Sequence, residues 1–379
     1  MTIILILIAL LLALFGVPIF VVISGLALYL LSSGQIDSSA MIIEMNRMVA
    51  TPIFVAIPLF TFAGYLLSES GTPKRLIRLS NAILGWLPGG LSVIALVTCA
   101  TFTALTGATG LTIIALGGIL LPALLQGKYP EKFSLGLLTT SGTLGLLFPP
   151  SLLLIIYAIV AKVRIDQLFL SGILPGILLV VLLSLFCVEK AVLARVPRTR
   201  FDWLEVFKAI KEAIWELPLP IVVLGGIYSG YFAVSEAAAI TAAYVILIEV
   251  IIYRDIKWRD LPQIMRKSMV LAGEILIILG AALGLTNYLI DEEIPMMVLD
   301  FFKTHIASPF VFLIVLNVFL LAVGCIMGTF SALTVVVPLI TPIAQAYGIH
   351  PIHLGIIILT NLEIGASIPP VGINLFISS

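Results

Sequence analysis

Apolar runs of roughly 18 residues or more recur from one end of the chain to the other, each long enough to cross a bilayer as a helix. No other feature narrows the fold so far. In hydrocarbon every backbone polar group must be satisfied internally, which leaves helices and closed barrels. A barrel needs short alternating segments, and none appear. With 61% hydrophobic and 11% charged residues and a mean hydropathy of +1.23, no soluble domain of useful size is expected. The chain reads as an all-α polytopic membrane protein. Its first residues lack a basic region and a small-residue cleavage site, so Ile3 to Leu31 reads as a retained span rather than a signal peptide.

Spans are expected at about 3–31, 49–70, 133–161, 168–188, 217–233, 235–253, 265–290 and 353–379. Two further apolar blocks, 89–125 and 308–346, are interrupted by "TGATG" (Thr106–Gly110) and "MGTFS" (Met327–Ser331). Their arms hold about 15 residues, short for a crossing at ~1.5 Å per residue, so both blocks read as re-entrant hairpins. Phe201 to Trp215 reads as an amphipathic helix on the inner surface, with Trp203, Phe207, Ile210 and Ile214 on one face.

Charge sets the orientation. With the first span running outward, 16 of the 20 Lys and Arg fall on one face, among them Lys74, Arg75, Arg78, Lys208 and Lys211. The other face keeps Arg47, Lys162, Arg164 and Lys303, beside the acidic turn Asp291-Glu292-Glu293. The positive-inside rule makes the first face, and the N-terminus, cytoplasmic.

Landmarks recur at a near-constant offset. Pro73 matches Pro295 and Gly107 matches Thr329 at 222 residues, Pro130 matches Pro351 at 221, and Pro149-Pro150 matches Pro369-Pro370 at 220. The order of elements between them is kept, and the charge-derived topology inverts the second copy. The expected organisation is a first repeat at 1–197, with hairpin 89–125 and broken span 133–161, and a linker helix at 198–216. The second repeat, 217–379, carries hairpin 308–346 and broken span 353–379. By the same repeat, a span equivalent to 168–188 is expected to follow Ser379. Inverted repeats with broken helices are a transporter architecture, with sites at the repeat interface.

The double prolines explain themselves in that setting. Pro149 and Pro150 cannot donate to a helix ladder, so carbonyls around Thr143 to Leu147 are freed and must face protein or a wet cavity. Freed carbonyls suit Na⁺, while the half-helix that starts at the prolines points its positive end into the same gap. The hairpin tips add hydroxyls and glycine backbone. A proline-kinked packing helix would explain one such motif, but two symmetric ones point to a ligand site.

Glu363 and Glu274 are the acids expected deep in spans. Glu363 is either an ion or pathway group or a hydrogen-bonded structural lock. Glu236 reads either as functional or as a helix cap formed with Ser235. Cys99, Cys187 and Cys325 match no metal or redox spacing and read as packing residues. His305, His350 and His353 fall in short connections and are too isolated for a metal. No span contains His or Asp, which argues against an intramembrane enzyme, and occluded hairpins argue against an open channel.

The motifs "IPLFTFAGYLLSESG" (57–71), "TTSGTLGLLFPPSLLLIIY" (139–157), "LFLSGILPG" (168–176), "SEAAA" (235–239) and "GIHPIHLGIIILTNLEIGASIPPVGINLF" (348–376) resemble the large membrane subunit of TRAP transporters, the DctM-like family, over nearly the whole chain. The resemblance implies an elevator-type, Na⁺-driven importer of carboxylates such as C4-dicarboxylates or sialic acids, in a bacterial or archaeal cytoplasmic (inner) membrane. It implies two partners, a small four-helix membrane subunit and a periplasmic substrate-binding protein, besides membrane lipid and the small carboxylate itself. No nucleic acid and no organic cofactor are expected. Since the chain begins at its first span, the small subunit is not expected to be fused ahead of it. A proton-coupled or binding-protein-independent anion carrier of related fold is the alternative.

By position, the resemblance implies ion-binding regions at Thr106–Thr109 with Thr140–Gly145, and at Gly328–Ser331 with Asn361–Gly365. The implied Na⁺ ligands are Thr106, Gly107, Thr109, Thr140, Gly142, Thr143 and Gly145 in the first repeat. In the second they are Gly328, Thr329, Ser331, Asn361, Glu363 and Gly365. Substrate contacts are expected from Ser141, Pro149, Pro150, Ser151, Pro369, Pro370, Gly372 and Asn374. The family often carries an acid at the second hairpin tip, where this chain has Gly328.

Overall fold

The structure, a computed structural model, describes residues 12, 17–194, 196, 201–369 and 372–378. Within them the chain is helical throughout. Seven helices are long and apolar enough to cross a membrane, or eight if the bent pair Glu131–Leu147 and Leu152–Val160 counts as one span. This is the polytopic all-α protein expected from the apolar runs.

α1 (Ile19–Ser33) and α2 (Ser39–Ala50) pack on the long α13 (Leu261–Asp291). α3 (Ala56–Glu69) lies between α13 and α12 (Val234–Ile246), with Ile57, Phe60 and Leu66 buried against them. A short α4 (Thr72–Leu84) leads into the first interrupted block, α5 (Gly90–Thr106) and α6 (Thr109–Gln126). The first broken span follows as α7 (Glu131–Leu144), a tight turn at Gly145–Leu147 and α8 (Leu152–Val160), bent by 49°. The Pro149–Pro150 peptide bond is cis. Next come α9 (Ile165–Leu193), the amphipathic α10 (Trp203–Glu212) and α11 (Pro218–Tyr228). α14 (Ile294–His305) precedes the second block, α15 (Pro309–Ile326) and α16 (Thr329–Ala346). The second broken span comprises α17 (Pro351–Gly365) and α18 (Ile373–Ser378).

Four pairs of helix starts share a near-constant offset. Thr72 and Ile294 lie 222 residues apart, Thr109 and Thr329 lie 220, Glu131 and Pro351 lie 220, and Leu152 and Ile373 lie 221. The returning arm of each block thus pairs Thr109 with Thr329, where the sequence spacing had paired Gly107 with Thr329. Packing repeats too. α5 lies on α7 as α15 lies on α17, while the two half-helices are exchanged, α8 packing on α16 and α18 on α6. That exchange carries the half-helix after each expected break to the other block's returning arm.

Several expectations change. The arms of the two blocks are 17 and 18 residues long, so arm length, the ground for reading them as re-entrant, does not separate a hairpin from two crossings. α5 and α6 pack along each other, whereas α15 and α16 barely touch and each rests on α17. The span expected at 217–233 is an 11-residue helix, and the one expected at 3–31 is described from residue 17 onward. His305 and His353 lie within the ends of α14 and α17 rather than in connections. Glu236 does cap α12, but alone, its carboxylate accepting from the Ala233 N–H at 2.9 Å. Glu274 is exposed, whereas Glu249 is fully buried in the π-helical end of the span Val234–Ile252.

Glu249 belongs to a buried ionic cluster that sequence reasoning missed. Arg75 on α4 pairs with Glu216, with Glu249 at 3.0 Å and with Asp255 at 2.6 Å, and its guanidinium lies 3.9 Å from the centre of the Tyr253 ring. Thr72 donates to Glu249 at 2.9 Å, and the Gly71 N–H donates to Asp255 at 2.9 Å. The turn between α3 and α4 is therefore tied to the linker region and to α12. Burial of the Glu216 carboxyl pushes its pKa up, and the Arg75 charge opposes that push.

Candidate functional site between the two interrupted blocks

Both breaks are built from small residues because the backbone must turn within a crowded interior. Gly107 ends α5 in the left-handed region, φ 69°, where a side chain is strained, and its N–H donates to the Thr103 carbonyl at 2.7 Å. Ala108 is extended and starts α6. In the second block Met327 and Gly328 are both extended before α16 begins. The two breaks face each other across a cavity of about 350 Å³.

The cavity wall runs from Gly107 to Leu111 on one side and from Gly328 to Ser331 on the other. Leu146, Leu153, Glu363 and Asn374 enter from the broken spans, Tyr65 from α3 and Glu274 from α13. No Lys, Arg or His is among the described lining residues. The starts of α6 and α16 both border it, and the first N–H groups of a helix have no partner inside the helix. Two positive helix ends thus supply the positive potential that side chains do not. Thr109 donates to the Asn374 side-chain oxygen at 3.3 Å, joining the first block to the second broken span.

Three buried oxygen-bearing groups have no hydrogen-bond partner among the described residues: Thr106 Oγ1, Ser151 Oγ and both carboxylate oxygens of Glu363. Glu363 is only 5% exposed. Orphaned buried acceptors are costly, and oxygens in that state suit a hard monovalent cation such as Na⁺.

The broken spans sort their expected site residues onto two faces. On α17, Asn361 and Gly365 stand one turn apart and face α15. The Asn361 amide donates to Asn317 Oδ1 at 2.6 Å and to the Ile357 carbonyl at 2.8 Å. A Cβ on Gly365 would lie 2.7 Å from the Leu321 carbonyl oxygen. In the turn after α7, Gly145 is placed likewise, a Cβ falling 2.3 Å from the Ala100 carbonyl oxygen, while the buried Ser141 hydroxyl donates to the Leu137 carbonyl of its own helix. Gly142 lies over α6, where a Cβ would be 3.5 Å from the Thr109 carbonyl oxygen. Thr143 and Glu363 project elsewhere, and both line a second, apolar cavity together with Thr140.

Some carbonyls at the breaks are used by the chain itself. Gly145 accepts from the Phe148 N–H at 3.0 Å and Gly365 from the Ile368 N–H at 2.9 Å. Thr140 accepts from the Thr143 hydroxyl at 2.8 Å.

Of the expected site residues, the hairpin cavity gathers Gly107, Thr109, Gly328, Thr329, Ser331, Glu363 and Asn374. Pro149 lines a separate apolar cavity of about 240 Å³, Pro369 is exposed, and Pro370 lies outside the described residues. Pro150 and Ser151 are buried, and the Gly372 N–H donates to the Cys325 carbonyl at 3.0 Å. Sequence reasoning missed Asn317, although a lone Asn in "LIVLNVFLL" was a visible signal. It also missed the 2.7 Å hydroxyl bond from Thr103 to Thr112, which only the fold-back of α6 on α5 creates.

Comparison with known proteins matches this architecture to one family. Residues 4–379 match the family described as "Tripartite ATP-independent periplasmic transporter, DctM component". The C4-dicarboxylate TRAP transporter large permease protein DctM of Vibrio cholerae serotype O1 is 38% identical over 346 residues, covering 86% of this chain and 76% of the relative. The ectoine TRAP transporter large permease protein TeaC of Halomonas elongata is 29% identical over 354 residues, covering 93% and 83%. The sialic acid TRAP transporter large permease protein SiaM of Vibrio cholerae serotype O1 is 29% identical over 328 residues, covering 86% and 76%. On the match of nearly its whole length, the chain belongs to the DctM component family of tripartite ATP-independent periplasmic transporters.

Proposed function

We propose that this membrane subunit imports a small organic carboxylate, driven by Na⁺, by an elevator movement of its two interrupted blocks and broken spans against the remaining helices. The observation that carries the reading is the cavity between the two breaks, with its paired positive helix ends and the buried, unpartnered carboxyl of Glu363 in its wall; Thr106 and Ser151 add unpartnered buried hydroxyls at the first break. The Na⁺ ligands come from Thr106–Thr109 with Thr140–Gly145, and from Gly328–Ser331 with Asn361–Gly365. The substrate carboxylate sits at the starts of α6 and α16, near Asn374.

The two repeats, 1–197 and 217–379, stand in opposite orientations across the cytoplasmic (inner) membrane, with the N-terminus inside and α10 on the inner surface. A small four-helix membrane subunit and a periplasmic substrate-binding protein complete the system. Relatives named for C4-dicarboxylates, ectoine and sialic acid share this architecture, so the family leaves the substrate to the lining of the site.

Thermal unfolding of the purified protein in Na⁺, against K⁺ or choline at equal ionic strength, tests the reading without a choice of substrate. A bound ion stabilises by mass action, ~2.7 kcal/mol at a hundredfold excess over its dissociation constant. A Na⁺-specific rise lost in Thr143→Ala and Asn361→Ala supports it. Wild-type Na⁺ response in both variants removes the ligand assignment, and no Na⁺ preference at all turns the coupling ion to the proton, with Glu363 its first carrier.

A further inference from the structure

A second cavity, of about 330 Å³, adjoins the hairpin cavity and shares Leu146 and Glu363 with it. Its walls come from α7, α9 and α17 and are apolar apart from Thr140, Thr143, Thr360 and Glu363. Leu182, 53% exposed, stands at its outer wall, so the slot opens sideways on the apolar surface of α9.

The polar end of this slot has one chemical sense. Each threonine hydroxyl already donates within its own helix: Thr140 to Gly136 at 2.8 Å, Thr143 to Thr140 at 2.8 Å and Thr360 to Ile356 at 2.7 Å. What they present to the slot is lone pairs. Glu363 is nine-tenths buried, and neither carboxylate oxygen receives a hydrogen bond. Once an arriving cation ionises the Glu363 carboxyl, every polar side chain facing the slot accepts. An ammonium group brings three donors and a positive charge to that set, an alcohol brings one donor, and a carboxylate brings repulsion.

We propose that this slot binds amphiphilic primary amines, the ammonium group on Glu363 and the threonine oxygens and the alkyl tail along Leu179 and Leu182. The slot shares Thr140, Thr143 and Glu363 with the ion regions proposed above, so an amine and a coupling ion compete for the same oxygens, while amine binding itself is expected in Na⁺-free buffer whichever ion drives transport. Its occupant enters from the bilayer side, where an apolar tail is already solvated, and wedges α9 against the two broken spans.

The test uses the full-length protein in lipid nanodiscs, with thermal unfolding read against decylamine, decanol and decanoate at equal membrane content. Decylamine is expected to raise the unfolding temperature saturably, with decanol and decanoate without effect. Glu363→Gln should weaken the amine's apparent affinity about tenfold or more, the loss of one charge-assisted hydrogen bond. Leu182→Trp, which fills the mouth and leaves the carboxylate in place, should weaken it as well. Thr360→Val serves if Glu363→Gln does not fold. Equal effects from all three tails, or an amine response intact in Glu363→Gln or, in its stead, Thr360→Val, would overturn the proposal.

Discussion

Gly145 and Gly365 hold the same place in the two broken spans, each laying its bare Cα against the outgoing arm of its own block. An added methyl group would sit 2.3 Å from the Ala100 carbonyl oxygen at Gly145 and 2.7 Å from the Leu321 carbonyl oxygen at Gly365. Both obstacles are backbone and cannot swing aside. Gly145→Ala and Gly365→Ala should each destabilise the protein by about 1–3 kcal/mol through overpacking, read as a lower unfolding temperature. Gly136→Ala, one helix turn or more from either obstacle and with nothing near its Cβ position, should cost nothing.

Arg75 neutralises two buried carboxylates, Glu216 and Glu249, that have no other ion-pair partner among the described residues. Glu249 is fully buried and Glu216 nearly so, and removing the guanidinium strands both. Arg75→Gln should cost about 3–5 kcal/mol, the range for breaking a buried pair from one side. Arg75→Gln combined with Glu249→Gln should recover part of that loss, since one stranded charge is removed with the other. Chemical denaturation of the single and double variants in the same detergent checks the order.

Asn317 and Asn361 act as one unit. Their 2.6 Å amide bond crosses from α15 to α17, and Asn361 also donates to Ile357. Each alanine substitution should cost about 1–3 kcal/mol by orphaning the partner. The double variant should cost clearly less than the two together, because residues in one network are not additive. If Asn361 also serves the second ion region, Asn317→Ala should blunt the Na⁺-dependent rise in unfolding temperature through the same contact.

The surface helix α10 should loosen in acid. Its Glu205 carboxyl is held below the usual carboxylate range, first by the hydrogen bond from Lys208 and then by the one from Arg78 on α4. A lowered pKa in the folded state contributes stability that is present at neutral pH and lost as pH falls through the lowered value. Protection factors of amides in Trp203–Glu212, corrected for the slowing of intrinsic exchange in acid, should fall as pH drops below the ordinary carboxylate range. High salt should have the same effect at neutral pH, since these groups are exposed to screening.

How much of this was legible depends on whether the signal is local. Apolar run length placed nearly every long helix, and the first proline pair marked the bend between α7 and α8, because a missing N–H breaks a helix wherever it stands, whereas Pro370 of the second pair lies outside the described residues. "FDWLEVFKAIKE" announced an amphipathic helix by its spacing alone, and it appears as α10. Two of the acids misled. Glu274 lies near the middle of a 31-residue helix yet is exposed, at the wall of the cavity, while Glu249 lies near a helix end yet is sealed by Arg75, which is distant in sequence.

The amino-acid sequence by itself determined the class of molecule, the breaks and the recurrence of elements, since each follows from transfer of short segments into hydrocarbon and from backbone chemistry within them. Only the tertiary structure decided which residues share a wall. The exchange of α8 and α18 between the blocks brings Thr109 to Asn374 and places Glu363 between two cavities. It sends Asn361, two residues earlier on the same helix, to Asn317 instead. Helical rotation puts residues two apart on different faces, and only the packing of other helices says what each face meets.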